Sequence, residues 1–100
     1  MKKIYKYTIE PNNLKIEMPK NAKIIHVYNQ REHVCLWAEV DVDQQNYLTE
    51  IRQFVVVPTG GYIPEYPDVT AKHLGTVKMS DGLFIYHVYE LVRNVEEEGK

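Results

Sequence analysis

The chain has 100 residues, of which 44% are hydrophobic and 26% charged, and its formal net charge is −2. That length accommodates one domain with one core and not comfortably two, and the ratio of apolar to charged residues excludes a wholly disordered chain. No apolar run approaches the ~20 residues of a membrane-spanning helix, and Lys6 interrupts the stretch after Met1-Lys2-Lys3, so neither a membrane span nor an ordinary secretion signal is expected.

Alternation of period two runs through most of the sequence and no stretch carries a 3.6-residue apolar stripe, which predicts an all-β domain. The first strand spans 3–9, with Tyr5, Tyr7 and Ile9 on one face and Ile4, Lys6 and Thr8 on the other, and Pro11-Asn12-Asn13 breaks it. Leu14, Ile16 and Met18 form a short half-buried strand that Pro19 ends, because proline offers no N–H to a neighbour. Segments 23–30 and 34–42 pair as a hairpin across Arg31-Glu32, placing Val34, Leu36, Ala38 and Val40 on the core face and Cys35, Trp37, Glu39 and Asp41 on the other. Residues 43–46 make the next turn, and the strand 47–57 contains Phe54-Val55-Val56-Val57, apolar at consecutive positions as in a strand covered on both faces. A long irregular loop, 58–68, precedes a second hairpin, 71–79 and 83–92, turned at Ser80-Asp81-Gly82 by its Asp-Gly pair. The expected architecture is a compact antiparallel sandwich or partly open barrel of about seven short strands over residues 1–95, followed by an acidic flexible tail, 96–100.

Eight tyrosines accompany only two phenylalanines and one tryptophan, a bias toward half-wet sheet faces, pocket walls or subunit contacts. Residues 1–23 carry a charge of +4 and the remainder −6, a mild asymmetry that suits a solvated strand face and an acidic tail and predicts no specific nucleic-acid binding. Apolar residues on both faces near Val55-Val56-Val57 and along 83–91 predict a homo-oligomer, most simply a two-fold dimer.

Catalytic chemistry has little to build on. Ser80, the only serine, lies in a tight turn, and Cys35, the only cysteine, cannot form an internal disulfide and fits a reducing cytoplasm. His33 lies two residues from Cys35 on the same side of a strand, but two ligands fall short of a metal site and a buried lone cysteine is usually inert. Asp41 and Asp43 lack the glycine and further acidic ligands of a calcium loop. His87, inside the strand Phe84 to Tyr89, is expected to bond a neighbouring carbonyl or to contact a ligand. No enzymatic activity, metal or cofactor is expected. The best candidate site is the loop around Thr59-Gly60-Gly61, whose glycines permit successive N–H groups to converge on an anion, with Tyr62 and Tyr66 as flat surfaces for a base or ribose and Arg52 and Lys72 as charge partners.

The segments Leu14-Lys15-Ile16-Glu17-Met18-Pro19, Cys35-Leu36-Trp37-Ala38, Phe54-Val55-Val56-Val57-Pro58-Thr59-Gly60, Leu74-Gly75-Thr76-Val77 and His87-Val88-Tyr89-Glu90 together resemble a family of small proteins encoded by tailed bacteriophages and prophages, over about residues 3 to 91. Gly61 departs from the family pattern, which has a polar residue after Thr-Gly. Proteins of this size and origin include non-enzymatic counter-defence proteins that sequester nucleotide signals of bacterial immunity, and the resemblance implies such a role in the cytoplasm of an infected host. The alternative is a phage accessory or host-takeover module that binds another protein through a sheet edge or a tyrosine-rich face.

Overall fold

The computed structural model describes residues 1–11, 14–42 and 48–95. The expected turn at 43–46, the start of the following strand at Tyr47 and the acidic tail lie outside the described residues. Seven strands are present: β1 (Lys2–Ile9), β2 (Lys15–Pro19), β3 (Lys23–Gln30), β4 (His33–Asp41), β5 (Thr49–Pro58), β6 (Val69–Met79) and β7 (Phe84–Arg93). They form two antiparallel sheets, ordered β1-β4-β3 and β2-β5-β7-β6. The all-β sandwich read from the alternation is therefore the fold.

The two inner faces build the core as that alternation dictates. Val34, Leu36, Ala38 and Val40 of β4 are buried, and Ile9 of β1 and Val27 of β3 flank them. From the other sheet come Met18, Phe54, Val77 and Val88, with Tyr5, Tyr7 and Val56 packed around them. Burying a side chain such as Leu36 or Phe54 contributes about 1.5–3 kcal/mol, so this layer dominates the driving force for folding. Val57 points to the opposite face of β5 and is nevertheless buried. The turn after β5 folds back over it, so closely that a Cβ on Gly61 would stand 3.1 Å from the Val57 side chain.

The sheets close on one side, where β3 lies against β6. Gly75 is required there, because a Cβ at that position would meet Val27 at 2.2 Å. Glu32 latches the same side. Arg31 and Glu32 form the β3–β4 turn with positive φ at both positions, the type I′ pattern that matches strand twist. The Glu32 carboxylate accepts from the Ser80 N–H (3.0 Å) and hydroxyl (3.1 Å) in the β6–β7 turn, while Asn29 Nδ2 donates to Glu32 and to the Lys78 carbonyl. Held this way, Ser80 and Asp81 both take positive φ, and the turn begins one residue earlier than the Asp81-Gly82 pair suggests.

Candidate functional site

β5 changes partners along its length. Its first half, Thr49 to Gln53, pairs with β2, and its second half, Gln53 to Pro58, pairs with β7. Beyond the Gln53–Leu91 pair the ladder between β5 and β7 stops, while β7 continues beside β6 through Arg93. The sheet forks there. An open cleft of about 630 Å³ occupies the fork, and a second depression of about 430 Å³ adjoins it between the sheets. Both are lined by Asn21, Ala22, Arg52, Lys72 and Glu90.

The floor is an ion pair. Alternation puts Arg52 on the inner face of β5 and Glu90 on the inner face of β7, where Arg52 Nε and Nη2 donate to the two Glu90 oxygens at 2.7 and 2.8 Å. Arg52 Nη1 donates to the Ala22 carbonyl at 2.5 Å, so one guanidinium joins β5, β7 and the segment leading into β3. Such a bidentate pair is geometrically specific. The Glu90 hydrogen bonds raise the Arg52 pKa further, against the opposing effect of burial. Three of the five guanidinium N–H groups are used, which leaves two for a ligand.

Lys72, opposite Glu90 in the register, lines both depressions and makes no hydrogen bond or ion pair among the described residues. Lys23 lines the second depression and Arg93 the first, so among the described residues four cations line the two depressions with two carboxylates, Glu50 and Glu90. Two β-bulges flank the second depression, at Ile25 in β3 and at Leu74 in β6. Bulges on facing strands re-aim side chains and recur beside binding sites. Tyr66, 57% exposed, stands at the rim of the fork.

The structure thus brings together Arg52, Lys72 and Tyr66 and separates the other candidates from them. Thr59 lies seven residues from Arg52, ~23 Å along an extended strand, and its hydroxyl bonds His87 Nε2 at 2.9 Å on the outer face of the four-stranded sheet. Thr76, and not a carbonyl, holds His87 Nδ1, at 3.2 Å. The Thr59 N–H donates to the Ile85 carbonyl and the Gly61 N–H to the Pro58 carbonyl, closing a turn in which Gly60 has φ +91° as a type II turn requires. Two of the three N–H groups read as an anion cradle are therefore already bonded. Tyr62 is 95% exposed beside them. Glu90, Lys23 and Arg93 were not among the residues singled out from the sequence, since only the sheet order places them beside Arg52 and Lys72. His33 and Cys35 do share one face of β4, with Cys35 buried against Thr8. Among the described residues no group of three or more His, Cys, Asp or Glu is placed to hold a metal ion, and no helix is long and apolar enough to cross a membrane.

Two antiparallel sheets, one of which forks beside a bidentate ion pair on its inner face, define the class, a small β-sandwich with a charged inter-sheet cleft. The chain belongs to the family described as Domain of unknown function (DUF7352), whose model matches residues 1–99. No curated protein and no solved structure matches it.

Proposed function

We propose that this protein is a non-enzymatic binding module that takes a small nucleotide-derived anion into the inter-sheet cleft. The observation that carries the reading is the surplus of positive charge around Arg52, with the Lys72 ammonium unpartnered among the described residues. Phosphate oxygens would accept from Lys72, Lys23 and the spare Arg52 N–H groups, and Tyr66 offers a ring at the rim for a base. Capture needs no nucleophile, only donors in place before the ligand arrives, and the bonds to Glu90 and Ala22 hold the Arg52 guanidinium in position. The phage resemblance supplies the setting, sequestration of an immune signal in an infected bacterium.

Isothermal titration with ADP-ribose and with cyclic dinucleotides tests this. Lys72→Ala is expected to weaken binding about tenfold to a hundredfold, the loss of one ionic hydrogen bond of ~1.5–3 kcal/mol, with the melting temperature nearly unchanged. Absence of heat with every ligand, or a bound ligand indifferent to Lys72→Ala, overturns the reading. The alternative, a protein-interaction module, is favoured by the outer face of the four-stranded sheet. There Ile51 is 70% exposed on the same side of β5 as the half-buried Val55, with Tyr89 and Leu91 of β7 alongside.

A further inference from the structure

The outer face of the three-stranded sheet carries a second arrangement, independent of the cleft. Its rows follow from the register: Thr8, Cys35 and Tyr28 lie abreast, and Lys6, Trp37 and His26 form the next row. Three rings meet across these rows. His26 stacks on Tyr28 with centroids 5.7 Å apart and planes 22° from parallel, and its centroid lies 5.7 Å from that of Trp37. Tyr28 is 61% exposed and His26 is exposed, so their flat surfaces are open to a ligand, whereas Trp37 is half-buried beside them.

Beside the rings is a polar pit of about 340 Å³, lined by Lys6, Thr8, Gln30, Arg31, His33 and Cys35. Among the described residues no carboxylate lines it. The Lys6 ammonium donates to Gln30 at 2.6 Å across the top of Cys35 and keeps two further N–H groups. Of the acidic side chains around it, Glu39 pairs with Lys2 at 3.2 Å, Asp41 with the N-terminal amine at 3.6 Å and Glu32 with Asn29 and Ser80, while Glu10, two residues beyond Thr8, lines a different depression with His33. Open rings next to a basic, carboxylate-free depression are complementary to one chemistry, a base joined to a phosphodiester. Stacking tolerates any base, because every base has a π face, and a basic groove follows the backbone.

We propose that this face binds single-stranded nucleic acid without sequence preference, bases stacking on Tyr28, His26 and Trp37 and two backbone phosphates seated at Lys6 and at Arg31.

Trp37 is the only tryptophan, so its emission reports on the face directly. Titration with deca-thymidylate and with deca-uridylate at low salt is expected to quench it saturably, and comparison of the two decides between DNA and RNA. With these two phosphates engaged, the logarithm of affinity should fall against the logarithm of salt with a slope of about −1.4. Tyr28→Ala should weaken binding about five- to a hundredfold, and Lys6→Gln or Arg31→Gln should each flatten the salt slope by about 0.7. Lys78→Gln, of equal charge change on the other sheet, should leave both unchanged. Tyr28, Lys6 and Arg31 are exposed, and circular dichroism confirms that each variant remains folded. Absence of quenching by either decamer at tens of micromolar, binding indifferent to Tyr28→Ala and Lys6→Gln, or mononucleotides binding as tightly as the decamers would each overturn the proposal. The cleft assay through Lys72 is unaffected by any of these outcomes.

Discussion

Replacing Glu90 by glutamine keeps the shape of the side chain and removes its charge, leaving the Arg52 guanidinium between the sheets with one full-strength acceptor, the Ala22 carbonyl. The side chains of Glu90 and Arg52 are only 8% and 16% exposed. Loss of one partner from a buried pair costs about 3–5 kcal/mol, because the remaining charge is left desolvated. The fork admits some water to Arg52 and the amide oxygen still accepts weakly, so the lower end, ~3 kcal/mol, is expected. Against a total stability of 5–15 kcal/mol typical of such a domain, urea denaturation should show the midpoint falling by roughly 1–3 M. The cost should be the same at pH 6 and pH 9. Hydrogen bonding to Glu90 raises the Arg52 pKa above its ordinary value in the folded state, so its stabilising contribution is complete below the unfolded value and is lost only as pH rises through the higher folded one. The double variant Arg52→Met with Glu90→Leu should recover much of the loss, since it removes both charges and leaves apolar groups of similar volume. A cost for Glu90→Gln under ~1 kcal/mol would match a solvated surface pair and refute the reasoning.

Gly75→Ala should destabilise by about 1–3 kcal/mol through overpacking against Val27, and Val27→Ala in the same chain should relieve part of that cost; strictly additive effects in a double-mutant cycle would contradict the contact. Glu32→Gln should lower the melting temperature at neutral pH. Hydrogen bonds from Asn29 and Ser80 hold the Glu32 carboxyl below its usual value of 4.5, so its contribution is present above that value and lost as pH falls through the lower folded one. The difference between the two proteins should therefore shrink on acidification, and a constant difference would place the effect elsewhere.

Sheet architecture was legible because burial on one face leaves a trace at every second residue. Val34, Leu36, Ala38 and Val40 announce their face without reference to any partner, and the Arg31-Glu32 hairpin brings β3 and β4 together locally. The Phe54 to Val57 run was read as covered on both faces, and the cover over Val57 turns out to be the chain's own Pro58–Gly61 turn. Sheet order was not legible. That β7 lies between β5 and β6, and that β3 of one sheet abuts β6 of the other, depends on pairings between residues tens of positions apart, for which a single sequence carries no signal. The candidate site divided for this reason. Arg52, Lys72 and Tyr66 converge through long-range pairing, whereas Thr59 and His87 meet on the opposite face of the sheet.

Arg52 serves the fold and the cleft at once, and this decides which substitution can speak about function. Its three hydrogen bonds join β5, β7 and the approach to β3, so truncating it would open the cleft and destabilise the domain together, and lost binding could be assigned to either. Lys72 lines the same space without a partner among the described residues and is exposed, so its removal changes the charge seen by a ligand and little that the fold depends on. A structural cation is held by buried acceptors and a recruiting cation is left free of them. By that criterion Arg52 shapes the cleft while Lys72 remains available to an anion, and the two substitutions should separate in a paired assay. Arg52→Lys should lower the urea midpoint and the affinity together, because an ammonium cannot reproduce the bidentate fork, whereas Lys72→Ala should lower the affinity alone.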